Sequence, residues 1–154
     1  MARLDDYSEV IDTRSPSEFA QDHIPGAINC PVLDDDERAR VGTRYVQVSP
    51  FDARKLGAAL VSRNIARHIE ERFAMHGRDW RPLVYCWRGG KRSAALAHVL
   101  REIGWNAAQL EGGYRAYRRE VMAQLQTLPR RLDYLVVCGE TGSAKSKLLE
   151  LLAA

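Results

Sequence analysis

The stretch from Pro82 to Gly104 reads PLVYCWRGGKRSAALAHVLREIG and contains three kinds of signal in immediate succession. Leu83 to Tyr85 is a compact apolar run after a proline, the pattern of a parallel strand buried on both faces, with Cys86 at its carboxyl end. Gly89 and Gly90 then break the pattern. From Gly90 or Lys91 onward, Leu96, Val99, Leu100 and Ile103 fall on one helical stripe that ends at Gly104, a C-cap residue. The rhythm repeats on both sides. Downstream, Ala107 to Leu110 reads as a strand, Gly112-Gly113 as a turn, and Tyr114 to about Leu128 as a basic helix stopped by Pro129. Upstream, Glu9 to Asp12 reads as a strand, and Ser15-Pro16-Ser17-Glu18 starts a short helix with a capping box. His23-Ile24-Pro25-Gly26 ends that helix, and Ala27 to Cys30 forms another strand. An acidic run, Asp34 to Glu37, opens a polar connection expected to last to Ser49-Pro50, where a second cap and proline start a helix from Phe51 to about Met75. Its apolar positions Val61, Ile65, Ile69 and Phe73 recur every four residues. Strand alternating with helix predicts an α/β domain with a mainly parallel sheet flanked by helices.

After Pro129 the pattern restarts. Tyr134 to Cys138 reads as a strand, Gly139 to Ser146 as a loop and Lys147 to Leu152 as the first turns of a helix. The expected organisation is therefore a domain over residues 4–125, then a linker and the opening strand-loop-helix of an incomplete P-loop domain over 126–154. The loop nearly matches G-x-x-x-x-G-K-[ST] through Gly139, Thr141, Gly142, Lys145 and Ser146, a pattern whose backbone amides and lysine hold phosphates. It departs from that pattern at Ala144, where a Cβ crowds or strains a turn that usually has glycine.

Composition limits the partners. In 154 residues, 23 Lys and Arg against 20 Asp and Glu give a formal charge of +3, which conceals a division along the chain. Residues 1–37 carry a net −8 and residues 38–154 a net +11, and 19 of the 23 bases are arginine. An arginine-rich basic remainder suits phosphate-bearing partners, and solvated surface charge is the alternative. No window has the roughly 20 apolar residues of a membrane span, and the N-terminus lacks the apolar run of a signal peptide, so the cytoplasm is the expected location. The spacing of Cys30, Cys86 and Cys138 forms no zinc pattern and no even disulfide framework, and no metal site is expected.

Cys86 is the candidate nucleophile. Loop amides and the following helix N-terminus favour its thiolate, as do the cations Arg88, Lys91 and Arg92. Trp87, Arg88, Gly89, Gly90, Lys91, Arg92 and Ser93 form the candidate anion- and substrate-binding loop, with Arg92 the principal cation. Two chemistries fit a Cys and an Arg at this spacing: carriage of a persulfide or perselenide by a sulfurtransferase, and phosphate or arsenate chemistry. Acyl transfer of the papain kind needs a positioned histidine, and His23, His68, His76 and His98 show no pattern that brings them to the thiol. A non-enzymatic reading, an RNA-binding module using the basic helix from Tyr114 to Arg119, also fits the charge.

Asp12-Thr13-Arg14 with Glu18-Phe19, then His23-Ile24-Pro25-Gly26-Ala27-Ile28-Asn29, resemble the opening signature of a rhodanese domain, and Leu110-Glu111-Gly112-Gly113-Tyr114 its closing one. The order of the Cys86 loop, Gly112-Gly113-Tyr114-Arg115-Ala116-Tyr117-Arg118 and a phosphate-loop-like segment is similar to the tRNA 2-selenouridine synthases. The resemblance implies exchange of sulfur for selenium in wobble 2-thiouridine of tRNA, with selenophosphate and geranyl diphosphate as co-substrates and no tightly bound cofactor. It also implies that Cys86 is the essential cysteine and that a P-loop domain, in this chain or a separate one, contributes to the complete reaction.

Overall fold

The computed structural model describes residues 4–133 and 136–152, which divide into two compact units, Met1–Val121 and Met122–Ala154. The first unit holds a four-stranded parallel sheet in the order β2-β1-β3-β4, formed by β1 (Glu9–Asp12), β2 (Ile28–Asn29), β3 (Pro82–Tyr85) and β4 (Ala108–Gln109). Register is set by Ile11, which lies opposite Ile28 on one side and Val84 on the other, while Val84 pairs with Gln109. The helices are α1 (Pro16–Gln21), α2 (Asp35–Gln47), α3 (Pro50–His68), α4 (Lys91–Ile103), α5 (Gly113–Thr127) and α6 (Lys145–Leu152).

Because strand side chains alternate faces, each central strand supplies both sides of the core. Ile11 and Val84 point to a cluster with Cys30, Phe73, Trp80, Leu96, Leu100 and Trp105, closed by Ile65 from α3. Tyr85 points the other way, to Ile24 and Tyr114, with Val10, Leu110 and Tyr117 against them. Burial of both faces explains why the residues of β3 read as a continuous apolar run rather than an alternating one.

The long helix predicted from Phe51 to Met75 is α3 followed by a π-helical turn, Ile69–Phe73. The extra residue per turn lets Phe73 reach the core, where it is fully buried. Gly104 ends α4 at a φ of 109°, as the C-cap reading expects. The predicted polar connection from Asp34 to Ser49 is instead helix α2. Asp34 accepts from the Glu37 N–H at 2.7 Å and Glu37 accepts from the Asp34 N–H at 3.1 Å, so the acidic run is a capping box. This helix buries no side chain fully and packs on α3 rather than on the sheet, and six of its thirteen residues are charged.

In the second unit, α6 begins at Lys145, two residues before the expected start. Tyr134 and Leu135 of the expected strand lie outside the described residues. Val136 to Cys138 are not in a strand, which corrects that part of the reading: a strand requires a neighbour for its backbone groups, and the sheet of the described residues consists of β1 to β4 alone.

Candidate active site

Cys86 follows β3 directly and is 3% exposed at the carboxyl edge of the sheet. Helix α5 fixes the loop from outside: Tyr114 N–H donates to the Cys86 carbonyl at 2.9 Å and Arg115 N–H to the Trp87 carbonyl at 3.0 Å. Such an approach leaves no room for a side chain at Gly113, which has a φ of 59° and where a Cβ would collide with the Cys86 carbonyl oxygen and the Gly89 nitrogen. Gly89 has a φ of 65°, and a Cβ there would stand 2.8 Å from the Leu110 carbonyl oxygen. The two glycine segments are therefore halves of one backbone arrangement.

The loop curls around sulfur. Gly90 N–H donates to Cys86 Sγ at 3.2 Å, and Ser93 Oγ lies at 3.2 Å as a second donor. Burial pushes the thiol up, but donors from the Ser93 hydroxyl and the Ser93, Gly90 and Arg88 amides outweigh it and hold Cys86 below the ordinary cysteine value. Gln109, at the end of β4, donates to the Gly89 carbonyl at 2.7 Å and to Ser93 Oγ at 2.9 Å. It thereby orients the hydroxyl toward sulfur and ties the loop to the sheet.

The cations sit differently from the expectation. Arg92 is half-buried, and its Nη1 pairs with Glu18 Oε2 at 2.8 Å, while Arg88 and Lys91 are exposed. The influences that lower the thiol are hydrogen bonds from within its own loop. Glu18 is itself held below the usual carboxylate range. Burial pushes it up, but Arg92 first, then Ser15 N–H and Arg38, more than compensate. Arg38, on α2, reaches the same Oε2 at 3.4 Å.

Sequence reasoning took Glu18 as a capping residue and missed both its pairing with Arg92 and the roles of Gln109 and Arg38. For Gln109 the only signal was a polar residue at the carboxyl end of a short strand. Beneath the site, Arg14 is 2% exposed and pairs with the fully buried Asp12, and its guanidinium lies 4.3 Å from the Tyr114 ring centre. This pair fixes the opening segment under the loop.

The histidines are engaged away from the thiol. His23 contacts the Phe19 carbonyl at 2.9 Å, His68 the Pro31 carbonyl at 2.9 Å, His76 stacks on Trp80, and His98 is exposed. Cys30 is fully buried, and burial pushes its thiol up to about 11, whereas Cys138 is exposed.

In the second unit, Gly142 and Ala144 both have positive φ, 85° and 59°. Ala144 is the one non-glycine residue of this kind among the described residues, so the left-handed turn that normally takes glycine is kept here at a cost in strain. Lys145 Nζ donates to the Gly139 and Glu140 carbonyls at 2.8 and 2.6 Å, and lies 3.2 Å from Ser143 Oγ. Its ammonium group therefore closes the loop on itself. Thr141 and Ser146 lie within the same loop and the first turn of α6.

This chain is 37% identical over 141 residues to the tRNA 2-selenouridine synthase of Nitrosomonas europaea, an alignment covering 91% of this chain and 37% of that protein. It is 39% identical over 144 residues to the tRNA 2-selenouridine synthase of Chromohalobacter salexigens, covering 93% and 40%. The chain thus spans about two fifths of the length of these curated relatives. Among solved structures, it resembles the "N-terminal domain of putative ATP/GTP binding protein" from Clostridium difficile 630, with a TM-score of 0.64 and 35% identity over 73% of this chain and 88% of that one. The rhodanese-like domain family matches residues 1–120, which contain all four strands and the cysteine loop, and the chain therefore belongs to that family.

Proposed function

We propose that this chain is the chalcogen-handling part of an enzyme that exchanges sulfur for selenium in wobble 2-thiouridine of tRNA, with Cys86 as its nucleophile. The observation that carries the reading is the buried Cys86 sulfur, which the Gly90 amide and the Ser93 hydroxyl contact at 3.2 Å and whose thiol they hold below the ordinary cysteine value. A thiolate stabilised by neutral donors keeps its charge without an ion pair that blocks attack. The same donors stabilise a terminal persulfide anion on that sulfur.

With thiosulfate as donor, the Cys86 thiolate attacks the outer sulfur. A new S–S bond forms, the donor S–S bond breaks with its electron pair leaving as sulfite, and Cys86 holds a persulfide. The net selenium exchange changes no oxidation state: 2-thiouridine, selenophosphate and water give 2-selenouridine, phosphate and hydrogen sulfide. Selenophosphate is the selenium donor in this reading, held by the loop amides of Gly89 and Gly90 with Arg88 and Arg92. The similarity to tRNA 2-selenouridine synthases supports the tRNA substrate; a second domain as partner and geranyl diphosphate as a further co-substrate are part of the same proposal. No tightly bound cofactor is needed for these steps, and the cytoplasm is the location they require. Among the described residues no helix is long and apolar enough to cross a membrane.

Intact-mass measurement after exposure to thiosulfate, selenophosphate or an aryl phosphate tests the assignment. A sulfur adduct from thiosulfate, absent in Cys86→Ser, is the expected result, whereas selenophosphate, whose selenium is at the selenide level, should leave no perselenide without an oxidant. Release of phosphate from the aryl ester with no adduct from thiosulfate would replace this reading with phosphatase chemistry.

A further inference from the structure

A hollow of about 350 Å³ adjoins the cysteine loop, lined by Arg14, Glu18, Gln21, Arg38, Trp87 and Arg92. Its volume is at the small end of ligand clefts, about 300 to 1,000 Å³, which suits one nucleotide rather than a duplex. Its chemistry combines two features that a bare oxyanion site does not need together. One is charge: three guanidinium groups face one carboxylate. Arg14 is already committed to Asp12 and to the Asp22 carbonyl, and Arg92 to Glu18. Arg38, with a side chain 53% exposed and a single 3.4 Å contact to Glu18, retains donors for a ligand.

The other feature is an aromatic wall. Trp87 is 36% exposed, whereas Trp80 and Trp105 are buried at 5% and 9%. An indole left open beside a reactive cysteine costs solvation of apolar surface, and an oxyanion gains little from it. A nucleobase gains a stacking platform. Trp87 is also backed: its ring lies 5.8 Å from that of Tyr114, which rests in turn on the buried Arg14 guanidinium.

We propose that this hollow is the subsite for the target nucleotide, in which the base stacks on Trp87 and the adjoining phosphate is taken by Arg38. Glu18 is a positioning residue that holds Arg38 and Arg92 at the rim. Trp87 follows Cys86 directly in the chain, so a base stacked there brings its ring substituents to the cysteine loop. The assignment rests on the RNA substrate of the proposed function, and adds to it the surface that recognises the base.

All three tryptophans emit, and because Trp80 and Trp105 are buried, the part of the emission that responds to a bound ligand is assigned to Trp87 by its loss in Trp87→Phe. Titration with an RNA stem-loop carrying 2-thiouridine in its loop is expected to quench that emission to saturation. Binding followed separately by anisotropy of the labelled RNA should weaken about tenfold in Trp87→Ala and be largely restored in Trp87→Phe, since stacking tolerates any aromatic ring. Arg38→Ala should weaken binding and lower the slope of log affinity against log salt by about one. Circular dichroism of each variant excludes unfolding as the cause. RNA binding with unchanged Trp87 emission and unchanged Trp87→Ala affinity would overturn the subsite and leave the transferase reading intact. Equal quenching by inorganic phosphate would make the hollow an anion pocket and overturn the nucleotide assignment. Absence of any RNA binding, alongside a normal Cys86 adduct, would overturn both the subsite and the tRNA substrate.

Discussion

Ser93 is the residue on which the character of Cys86 depends most directly, because its hydroxyl reaches the sulfur at 3.2 Å while Gln109 holds the same oxygen at 2.9 Å. Hydrogen bonds to a charged acceptor contribute about 1.5–3 kcal/mol, so Ser93→Ala should slow alkylation of Cys86 by iodoacetamide at neutral pH by roughly tenfold or more. The midpoint of the rate's pH profile should rise, since a lost donor disfavours the thiolate. Gln109→Leu should move it in the same direction by less. Cys30 provides the internal comparison: its buried thiol, pushed up to about 11, should stay unmodified in native protein under the same conditions. The sequence placed Cys86 in an anion-favouring loop and credited both loop amides and cations; the lowering comes from the amides and from the Ser93 hydroxyl, which the sequence did not single out as a donor. Arg88, Lys91 and Arg92 are visible as letters, whereas the amide N–H groups that reach the sulfur belong to every residue and become visible only once the loop is folded. Gly113 makes the same point sterically. Its paired glycine reads as a turn, yet the requirement comes from the Cys86 carbonyl, distant in sequence. Gly113→Ala should therefore disturb the cysteine loop as well as cost stability, by at least the 1–2 kcal/mol of a left-handed non-glycine residue. Thermal unfolding and the Cys86 alkylation rate measured on one sample check both effects.

At the level of elements, His68 closes α3 against the segment after β2 and imposes a pH dependence. Its Nε2 contacts the Pro31 carbonyl at 2.9 Å, an acceptor only, so Nε2 carries the proton and the buried Nδ1 has no hydrogen-bond partner. Protonation would place an unsatisfied N–H in the interior. Burial, with Arg67 and Arg72 adding repulsion, lowers the His68 value below the ordinary 6.5 and outweighs the Pro31 hydrogen bond. A histidine neutral in the folded state gives its full stability above the unfolded value. That contribution falls as pH drops below about 6.5, where only the unfolded chain takes up a proton, and levels off at the folded value. Urea midpoints should therefore fall for the parent protein between pH 7 and 5, and fall less for His68→Gln, which keeps a donor to Pro31 but cannot titrate. An equal slope in the two proteins would remove His68 as the cause. The elements themselves were largely legible. β1, α4 and the Gly104 cap follow from short-range signals because β1 lies in the sheet and α4 packs on it, so their patterns reflect burial, whereas α1, which buries no residue, is marked by its capping box. Helix α2 was not legible for the opposite reason. It lies on α3 and buries no side chain fully, and six of its thirteen residues are charged, so it reads as a polar connection; only the Asp34 to Glu37 capping box marked it. Asp34→Ala should cost about 1 kcal/mol in the unfolding midpoint.

On the scale of the whole chain, the opposite charges of its two ends are partly neutralised within the first unit. Asp12 is paired inside the N-terminal segment by Arg14, and Glu18 takes Arg92 and Arg38 from the basic remainder. Both apolar clusters also belong to this unit. The second unit is built differently. Leu125, Leu132, Val136, Leu148, Leu149, Leu151 and Leu152 are all exposed, and α6 buries no residue although half of its positions are leucine. A helix of eight residues without a buried face is marginal by itself, since nucleation is unfavourable and tertiary packing supplies most helical stability. Local opening should then cost far less in α6 than in β1 or β3, whose amides are shared with neighbouring strands in the middle of the sheet. Hydrogen exchange followed by mass spectrometry should show peptides from 136–152 exchanging within the earliest time points, while those containing Val10 to Asp12 and Leu83 to Tyr85 stay protected. Brief trypsin treatment should remove the C-terminal segment at Arg130, Arg131, Lys145 or Lys147 and leave a fragment that still forms the Cys86 adduct with thiosulfate. Loss of the adduct together with that segment would show instead that the cysteine loop depends on residues beyond Arg130.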